Sequence, residues 1–474
     1  MNDSVYLAAD FGGGSGRLIA GRIGDGRLQL EEIYRFANRQ VRLGERLCWD
    51  FPALFAELKE GLRIAARKGL QVKGLGIDTW GVDFGLLDRN GNLTGNPVCY
   101  RDPRTEGMPD RVFGIIDRRQ HYAATGIQVM AINTLFQLYA MQQQNDPQLE
   151  IAERLLFMPD LFGYFLTGNA DNEYCIASTS ELLDARTRQW SSETIRALGL
   201  PERLFGRIVM PGTVRGVLRR DIADETGIGQ IKVYAVGSHD TASAVAAVPS
   251  TGGRAAFLSS GTWSLLGAEV DSPILTEEAR AAGFTNEGGV GGRIRFLQNI
   301  TGLWILQRLM AEWKERGEEQ HYDTIIPQAA AERIDTVIPV DAPEFMNPAC
   351  MGDAIADYCR RHSLAVPEGK AQTVRCVLQS LADRYRQAVA SMNRLLPEPV
   401  ERLHIIGGGS QNRLLNQLTA DALGIPVYAG PVEATATGNI LTQAMAEGEI
   451  AGLDELRTVV ARSFEPEIYH PNPQ

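Results

Sequence analysis

A strand–turn–strand unit with small residues in its turn occurs twice in this sequence. Near the start, the glycine-rich loop 10–17 (DFGGGSGR) lies between the apolar runs 5–9 and 18–23. In the second half, the loop 259–262 (SSGT) lies between two apolar runs in the same way. Short apolar runs separated by turn residues predict β-hairpins. Each half then alternates helices and strands, which predicts two α/β domains of related build.

The length of the chain also favours two domains. A chain of 474 residues exceeds what one hydrophobic core usually serves. The segment 249–253 (PSTGG) interrupts two apolar stretches, so we place the domain boundary there. We therefore expect domains at 1–248 and 249–474, with a sheet in each and a cleft between them.

Charge and composition exclude several classes of protein. The formal net charge is −11, whereas nucleic-acid binders carry clustered Lys and Arg, so we expect no nucleic-acid partner. No apolar run approaches the roughly 18 residues of a membrane span, and residues 1–4 (MNDS) do not resemble a signal peptide. We expect a cytoplasmic protein that does not bind membranes. The six cysteines form no Cys-x-x-Cys pair, which fits reduced structural thiols.

The loop 10–17 is suited to phosphate. Closely spaced glycines let backbone N–H groups approach phosphate oxygens without an intervening side chain. Asp10, at the end of a buried strand, could hold Mg²⁺ through water, because Mg²⁺ prefers oxygen ligands and keeps much of its hydration. A hairpin turn that needs positive φ explains the glycines equally well. The loop connects strand to strand and lacks a P-loop lysine, so it is neither a P-loop nor a dinucleotide fingerprint.

Two further turns could serve a nucleotide. The loop 259–262 offers hydroxyls and amides at the corresponding place in the second half, although such a turn is most often only a turn. The segment 407–412 (GGGSQN) joins an apolar run to a helical pattern, and an adenine could lie against its bare backbone. A close packing of strand against helix is the alternative for this second turn.

Asp240 is the candidate base. The segment 238–241 (SHDT) follows an apolar run and precedes a predicted helix, so Asp240 lies where a strand ends and a helix begins. One interpretation is a helix N-cap. The other is a general base that accepts a hydroxyl proton during phosphoryl transfer. The segment 76–84 (GIDTWGVDF) combines carboxylates, an aromatic ring and glycine, which suits sugar hydroxyls, although Trp80 is equally a core residue.

Together these segments resemble the FGGY family of carbohydrate kinases, which share the fold of actin and the heat-shock-chaperone ATPases. The resemblance covers nearly the whole chain. Its most specific motifs are 76–84, 238–244 (SHDTASA), 258–264 (LSSGTWS), 286–289 (NEGG) and 345–348 (FMNP).

The resemblance implies two ribonuclease-H-like domains: an N-terminal sugar-binding kinase domain at 1–248 and a C-terminal nucleotide-binding kinase domain at 249–474. It implies that Asp240 is the proton acceptor and that Mg²⁺ accompanies ATP. The residues implied to bind ATP are Gly13, Gly14, Ser15, Gly16, Arg17, Thr262, Gln307 and Gly408. Those implied to contact a ketose are Gly81, His239, Asp240, Thr241 and Asn299.

Within the family, the motifs are most similar to those of kinases that phosphorylate L-rhamnulose at its C1 hydroxyl in L-rhamnose catabolism. L-Fuculose or a pentulose is the alternative substrate, and a non-catalytic regulator that binds ATP and sugar is the alternative from another class. The segment 80–82 (WGV) departs from the pattern of glycerol-phosphorylating relatives, which argues against glycerol. The oligomeric state stays open.

Overall fold

A computed structural model of the chain describes residues 4–249 and 254–473. The chain forms two compact units. The first comprises Met1–Thr251, Glu269–Phe296 and Ala434–Ser463, and the second comprises Gly252–Ala268, Leu297–Glu433 and Phe464–Gln474. The predicted domain boundary falls on residues 249–253, of which 250–253 lie outside the described residues, so its position stays a prediction.

Strands and helices alternate along the chain. The strands are β1 (Ser4–Phe11), β2 (Ser15–Gly24), β3 (Arg27–Ala37), β4 (Gln40–Leu43), β5 (Arg46–Trp49), β6 (Val72–Thr79), β7 (Phe84–Asp88), β8 (Ala152–Phe157), β9 (Asn172–Glu173), β10 (Ile208–Val209), β11 (Val214–Val217), β12 (Lys232–Tyr234), β13 (Ala255–Ser260), β14 (Trp263–Val270), β15 (Thr285–Gly288), β16 (Ile294–Thr301), β17 (Arg402–Ile406), β18 (Val427–Ala429) and β19 (Glu467–Tyr469).

The helices are distributed over both units. They are α1 (Phe51–Arg67), α2 (Met108–Phe113), α3 (Arg118–Thr125), α4 (Thr134–Gln143), α5 (Pro147–Ile151), α6 (Met158–Thr167), α7 (Tyr174–Ser178), α8 (Ser192–Ala197), α9 (Arg220–Thr226), α10 (Asp240–Ala246), α11 (Glu277–Ala281), α12 (Trp304–Glu315), α13 (Tyr322–Ala331), α14 (Met351–Arg361), α15 (Gly369–Asn393), α16 (Arg413–Leu423), α17 (Ala434–Ala446) and α18 (Leu453–Ser463). None of the described helices is long and apolar enough to cross a membrane.

The first unit is built on a mixed sheet in the order β11-β12-β6-β1-β2-β3. Strand β1 pairs antiparallel with β2 and parallel with β6, and β6 pairs parallel with β12. Strand β1 is buried along its described length and α1 packs its apolar stripe onto the sheet edge, as the helical spacing of Leu54, Leu58 and Leu62 predicts. Helix α1 begins after Asp50, whose side chain accepts a hydrogen bond from the Ala53 amide.

The second unit repeats this plan. Its sheet contains the strands β14-β13-β17-β18-β19 in that order, with β13 antiparallel to β14 and parallel to β17. The same succession of a hairpin followed by parallel strands therefore occurs in both units, and in both an antiparallel strand closes one edge. The predicted α/β fold with two related domains is confirmed.

Two turns show how neighbouring elements are connected. The turn 88–91 closes only an isolated bridge between Leu87 and Leu93, and β7 pairs instead with β8, which lies far along the chain. Helix α16 begins at Arg413, with Asn412 as its N-cap and a 3₁₀ turn, Gly408–Gln411, before it. Gly424 ends α16 with φ 67°, as its position at the helix C-terminus predicts.

Candidate active site

The loop between β1 and β2 is open. A Cβ atom added at Gly13 or Gly14 would meet nothing within 4 Å, and neither residue has positive φ. The loop is held at its base, where Gly12 donates to the Ser15 carbonyl and Asn38 donates to the Gly14 carbonyl. The amides of Gly13 and Gly14 donate to no acceptor within the described residues. The glycines thus leave backbone donors uncovered, which is what phosphate binding requires, and the alternative of a turn that needs positive φ is wrong.

Gly16 has a different role from its neighbours. The ring of Phe36 on β3 packs directly against Gly16, and an added Cβ would overlap that ring. The next residue, Arg17, donates from Nη2 to Asp10 Oδ2 at 2.6 Å, across the β1–β2 pair. Arg17 therefore orients the Asp10 carboxylate at the end of β1.

Asp78 is a second carboxyl group at this sheet edge. It is the register partner of Asp10 on the adjacent parallel strand β6 and is fully buried. Asn439 on α17 donates to its Oδ2 at 2.6 Å, while its Oδ1 has no donor in the part of the chain that the structure describes. Burial raises the pKa of Asp78 well above its usual range, and the negative charge of Asp10 adds to the shift.

These carboxylates fit a hydrated Mg²⁺ ion. Asp10 and Asp78 offer oxygen donors side by side, and the Oδ1 of Asp78 lacks a protein donor. Across the described residues, no group of three or more His, Cys, Asp or Glu side chains is arranged to hold a metal directly. The donor set is therefore suited to an ion that keeps most of its water, as Mg²⁺ does.

Asp240 is the first residue of α10, not its N-cap. His239 occupies the N-cap position without a side-chain capping bond. The segment before the helix is anchored to the sheet, because Thr79 at the end of β6 donates to the Ser238 carbonyl and forms an isolated bridge with His239. The backbone thereby brings Asp240 to the end of β6, and the N-cap interpretation of this residue is wrong.

The Asp240 carboxylate is partly accessible. Its side chain is 32% exposed, and its Oδ1 accepts bonds from the amide and the hydroxyl of Thr241 at 2.5 and 3.0 Å. The Nε2 of His239 lies 3.4 Å from the same oxygen. Burial by the surrounding protein raises the pKa of Asp240, the charge of Asp10 raises it further, and His239 and Thr241 oppose the shift. A carboxylate with a raised pKa and an accessible oxygen is a suitable base.

Behind His239 lies a buried ion pair of Glu287 and Arg295. The Glu287 Oε2 is 3.0 Å from Arg295 Nη2 and 3.3 Å from His239 Nδ1. Burial alone would raise the pKa of Glu287, but the positive charge of Arg295 is the main influence that holds the pKa below its usual range. The imidazole is therefore enclosed between Asp240 on one side and a compensated ion pair on the other.

Gly81 lies beside this histidine. An added Cβ would be 3.4 Å from His239 Nε2 and from Thr179 Oγ1, so the bare backbone leaves room next to the ring. Val82 follows with φ 66°, a strained conformation for a β-branched residue. The Val82 amide donates to Thr179 Oγ1 at 3.2 Å, and the Thr134 hydroxyl donates to the Val82 carbonyl at 2.6 Å. These contacts hold the strained turn.

Asp83 and Trp80 form the support of that turn. Asp83 is fully buried and its Oδ2 accepts bonds from the indoles of Trp49 and Trp80 and from the Tyr100 amide. Burial raises its pKa to about 6, against these donors. The rings of Trp49 and Trp80 lie 4.1 Å apart. Trp80 is 7% exposed and thus a core residue, which is the plainer of its two interpretations.

In the second unit, the predicted nucleotide residues lie on and around the β13–β14 turn. Thr262 Oγ1 donates to Gln307 Oε1 on α12 at 3.0 Å. Gly408 is exposed, and an added Cβ there would meet nothing within 4 Å. The adjacent Gly409 packs against Ser260, with the Ser260 carbonyl 2.8 Å from an added Cβ. Asn299 is half-buried on β16.

Family models match both halves of the chain. Residues 5–247 match the N-terminal domain of the FGGY family of carbohydrate kinases, and residues 256–447 match its C-terminal domain. The chain belongs to the FGGY family of carbohydrate kinases. This confirms the resemblance seen in its motifs.

Relatives within the family are similar over nearly their full length. A rhamnulokinase from Bacteroides thetaiotaomicron is 47% identical, with 98% of this chain and 96% of the relative covered. A rhamnulokinase from Oceanobacillus iheyensis is 40% identical, with 97% of each covered.

Among solved structures, a gluconate kinase from Lactobacillus acidophilus matches with a TM-score of 0.81 and 14% identity, covering 100% of this chain and 94% of that one. The Plasmodium falciparum glycerol kinase with ADP matches with a TM-score of 0.79 and 14% identity, covering 99% and 94%. At this identity the likeness is one of fold.

Three residues of the site were missed as functional candidates from the sequence. Asp78 and Glu287 stand inside motifs 76–84 and 286–289, but nothing in one sequence distinguishes them from neighbouring polar residues. Arg295 sits in an otherwise apolar strand pattern, and a charged residue in such a pattern is a signal that it is buried with a partner.

Proposed function

We propose that this FGGY kinase transfers the terminal phosphoryl group of ATP to the C1 hydroxyl of L-rhamnulose, giving L-rhamnulose 1-phosphate and ADP in L-rhamnose catabolism. The observation that carries the proposal is the 47% identity to a rhamnulokinase over 98% of this chain. We place the reaction in the cytoplasm, where ATP is available. The site chemistry supports the same reaction class.

Asp240 is proposed as the base. Its Oδ1 already accepts two bonds from Thr241, which leaves Oδ2 to accept the proton of the C1 hydroxyl. Orienting that hydroxyl for in-line attack is the main requirement of phosphoryl transfer, because its transition state is loose. The raised pKa of Asp240 makes it a better proton acceptor than an exposed aspartate.

The ATP contacts are proposed on the predicted residues. In the first unit, the uncovered amides of Gly13 and Gly14 donate to phosphate oxygens, together with Ser15, Gly16 and Arg17. In the second unit, the contacts are Thr262, Gln307 and Gly408. When bound with ATP, Mg²⁺ neutralises charge on the phosphates. Asp10 would hold the ion through water, with Asp78 beside it.

The ketose contacts are proposed at Gly81, His239, Asp240, Thr241 and Asn299. The bare backbone of Gly81 leaves space beside the His239 ring, where a sugar hydroxyl can approach. The strained Val82 turn fixes this wall of the site. We propose that sugar binding belongs to the domain at 1–248 and nucleotide binding mainly to that at 249–474.

The test is a panel of acceptors. ADP release is measured with Mg-ATP and, separately, L-rhamnulose, L-fuculose, D-xylulose and glycerol, and the product is identified by its phosphorus–proton couplings. We expect kcat/KM on L-rhamnulose to exceed that on every other acceptor by about tenfold or more, with phosphate on O1. Equal or better turnover of another ketose would overturn the substrate assignment and leave the kinase intact. Tight ATP binding without turnover of any acceptor would favour a regulator.

A further inference from the structure

The motif 286–289 (NEGG) holds a buried ion pair next to the base. Glu287 is 5% exposed and Arg295 is fully buried. Arg295 is fixed by a bond from its Nε to the Gly288 carbonyl at 2.8 Å, and the Gly288 amide donates to Ser178 Oγ at 2.7 Å. Gly288 also packs on Tyr174, whose ring an added Cβ would approach to 2.5 Å. The guanidinium therefore has one position.

This fixed guanidinium determines the hydrogen bonding of His239. Arg295 Nη2 lies 3.2 Å from His239 Nδ1 in hydrogen-bond geometry. An arginine side chain has donors and no acceptor, so Nδ1 must accept and cannot itself carry the proton. The Oε2 of Glu287 lies 3.3 Å from Nδ1, but it meets no donor with hydrogen-bond geometry among the described residues. A neutral imidazole whose Nδ1 accepts carries its proton on Nε2.

The protonated Nε2 faces the base. It lies 3.4 Å from Asp240 Oδ1, the oxygen that also accepts from the amide and hydroxyl of Thr241. Two hydrogen bonds from Thr241 and the nearby Nε2 proton thus favour the same carboxylate oxygen. The other oxygen, Oδ2, is left without these donors and is the one available to a substrate hydroxyl.

We propose that Arg295 is a positioning residue for the base: by donating to His239 Nδ1 it places the imidazole proton on Nε2, beside Asp240 Oδ1, which favours the carboxylate orientation with Oδ2 toward the substrate. Glu287 compensates the buried charge of Arg295, since an isolated buried cation is costly. This inference rests on the proposed role of Asp240 as base. It assigns to the motif 286–289 a part in catalysis without contact to either substrate.

The charged groups around the pair come from several elements. His239 is faced by Asp240 on α10, by Glu287 on β15 and by Arg295 on β16. Asp240 also senses the charge of Asp10 on β1. A purely structural ion pair would hold β15 and β16 together without fixing the imidazole proton, and this difference can be measured.

The decisive experiment observes the ring nitrogens of His239 in the full-length protein without substrate. Two-bond proton–nitrogen spectra are recorded with nitrogen-15 histidine; the chain has six histidines, and the signal of His239 is assigned by its loss in His239→Gln. We expect Nε2 to be protonated and Nδ1 to be an acceptor. A proton on Nδ1, alone or together with one on Nε2, would overturn the inference. Since no substrate is involved, the result stands whether or not L-rhamnulose is the acceptor.

Two variants extend the test to turnover. Arg295→Met removes the donor, so Glu287 is then free to accept a proton from Nδ1, and we expect the tautomer to reverse and kcat to fall about a hundredfold with an unchanged KM for ATP. Arg295→Lys keeps a cationic donor and is expected to keep the wild-type tautomer and recover most of kcat. If the kcat of Arg295→Lys is no higher than that of Arg295→Met, and the two variants unfold at the same temperature, the positioning role is contradicted. If Arg295→Met does not fold, the wild-type spectrum alone decides.

Discussion

The two hairpin turns proposed to bind ATP differ in how they are held. The turn after β1 has uncovered amides at Gly13 and Gly14, although the carbonyls of these residues accept bonds from the Gln40 side chain and the Asn38 amide. The turn after β13 is braced by the start of α12, because Leu303 and Trp304 donate to the carbonyls of Gly261 and Thr262. The same supersecondary unit therefore gives an open loop in one unit and a rigid turn in the other.

The difference shows that a glycine can serve two opposite purposes. Gly13 and Gly14 keep space empty, so a substitution there meets no protein atom. Gly302 allows close approach, because an added Cβ would lie 2.6 Å from the carbonyl carbon of Trp263 and 2.7 Å from the Gly261 oxygen. The open loop can adapt to a ligand, whereas the braced turn presents the Thr262 hydroxyl in one place.

The largest effect is expected from breaking the brace. Gly302→Ala forces a methyl group against the backbone of the β13–β14 turn, and backbone atoms cannot rotate away. We expect the free energy of unfolding to fall by about 3 kcal/mol, measured by urea denaturation. Gly13→Ala is the control and should stay within about 0.5 kcal/mol of wild type. Equal stability of the two variants would contradict the distinction between the turns.

The next effect sharpens the role of the open loop. Gly14→Val adds a branched side chain where no protein atom lies within 4 Å, so the fold is spared while the approach of phosphate is blocked. We expect the Kd for ATP to rise about tenfold, or ~1.4 kcal/mol, by calorimetry, at an unchanged unfolding temperature. Gly452→Val, at another uncrowded glycine of the first unit, should leave the Kd unchanged. An unaltered Kd in Gly14→Val would remove this loop from the ATP site.

A smaller effect is expected at the braced turn. Thr262→Val keeps the shape of the side chain but removes the bond to Gln307. The same hydroxyl is a proposed ATP contact, and one hydrogen bond is worth about 1 kcal/mol, so we expect a weaker Kd for ATP. Thr373→Val is the control, because among residues 4–249 and 254–473 that hydroxyl bonds only the carbonyl of Gly369 in its own helix. An unchanged Kd for ATP in Thr262→Val would show that Thr262 acts only within the fold.

Much of this fold is local and could be predicted. The hairpins at β1–β2 and β13–β14 and the helix α1 follow from apolar spacing and turn residues within short segments. The pairing of β7 with β8 could not be predicted, because it joins segments 64 residues apart or more in sequence that carry no matching local signal. The return of Glu269–Phe296 and Ala434–Ser463 to the first unit is likewise a property of tertiary packing.

The parts of the site that could be predicted lie in motifs whose residue types and positions indicate a chemical role. Asp240 was found because an acidic residue at the junction of strand and helix has two known uses, and the helix start at His239–Asp240 now excludes the N-cap. Arg295 was not found, because its partner His239 is 56 residues away. The orientation of an imidazole depends on such distant contacts, so no local pattern reports it.

The substitution Asp240→Asn tests the proposed base. We predict that Asp240→Asn binds ATP with unchanged Kd, melts at the wild-type temperature and turns over L-rhamnulose about a thousandfold more slowly. Asp221→Asn changes an exposed aspartate in the first turn of α9 and should keep full activity. Turnover of Asp240→Asn within a few-fold of wild type would contradict the assignment of the base.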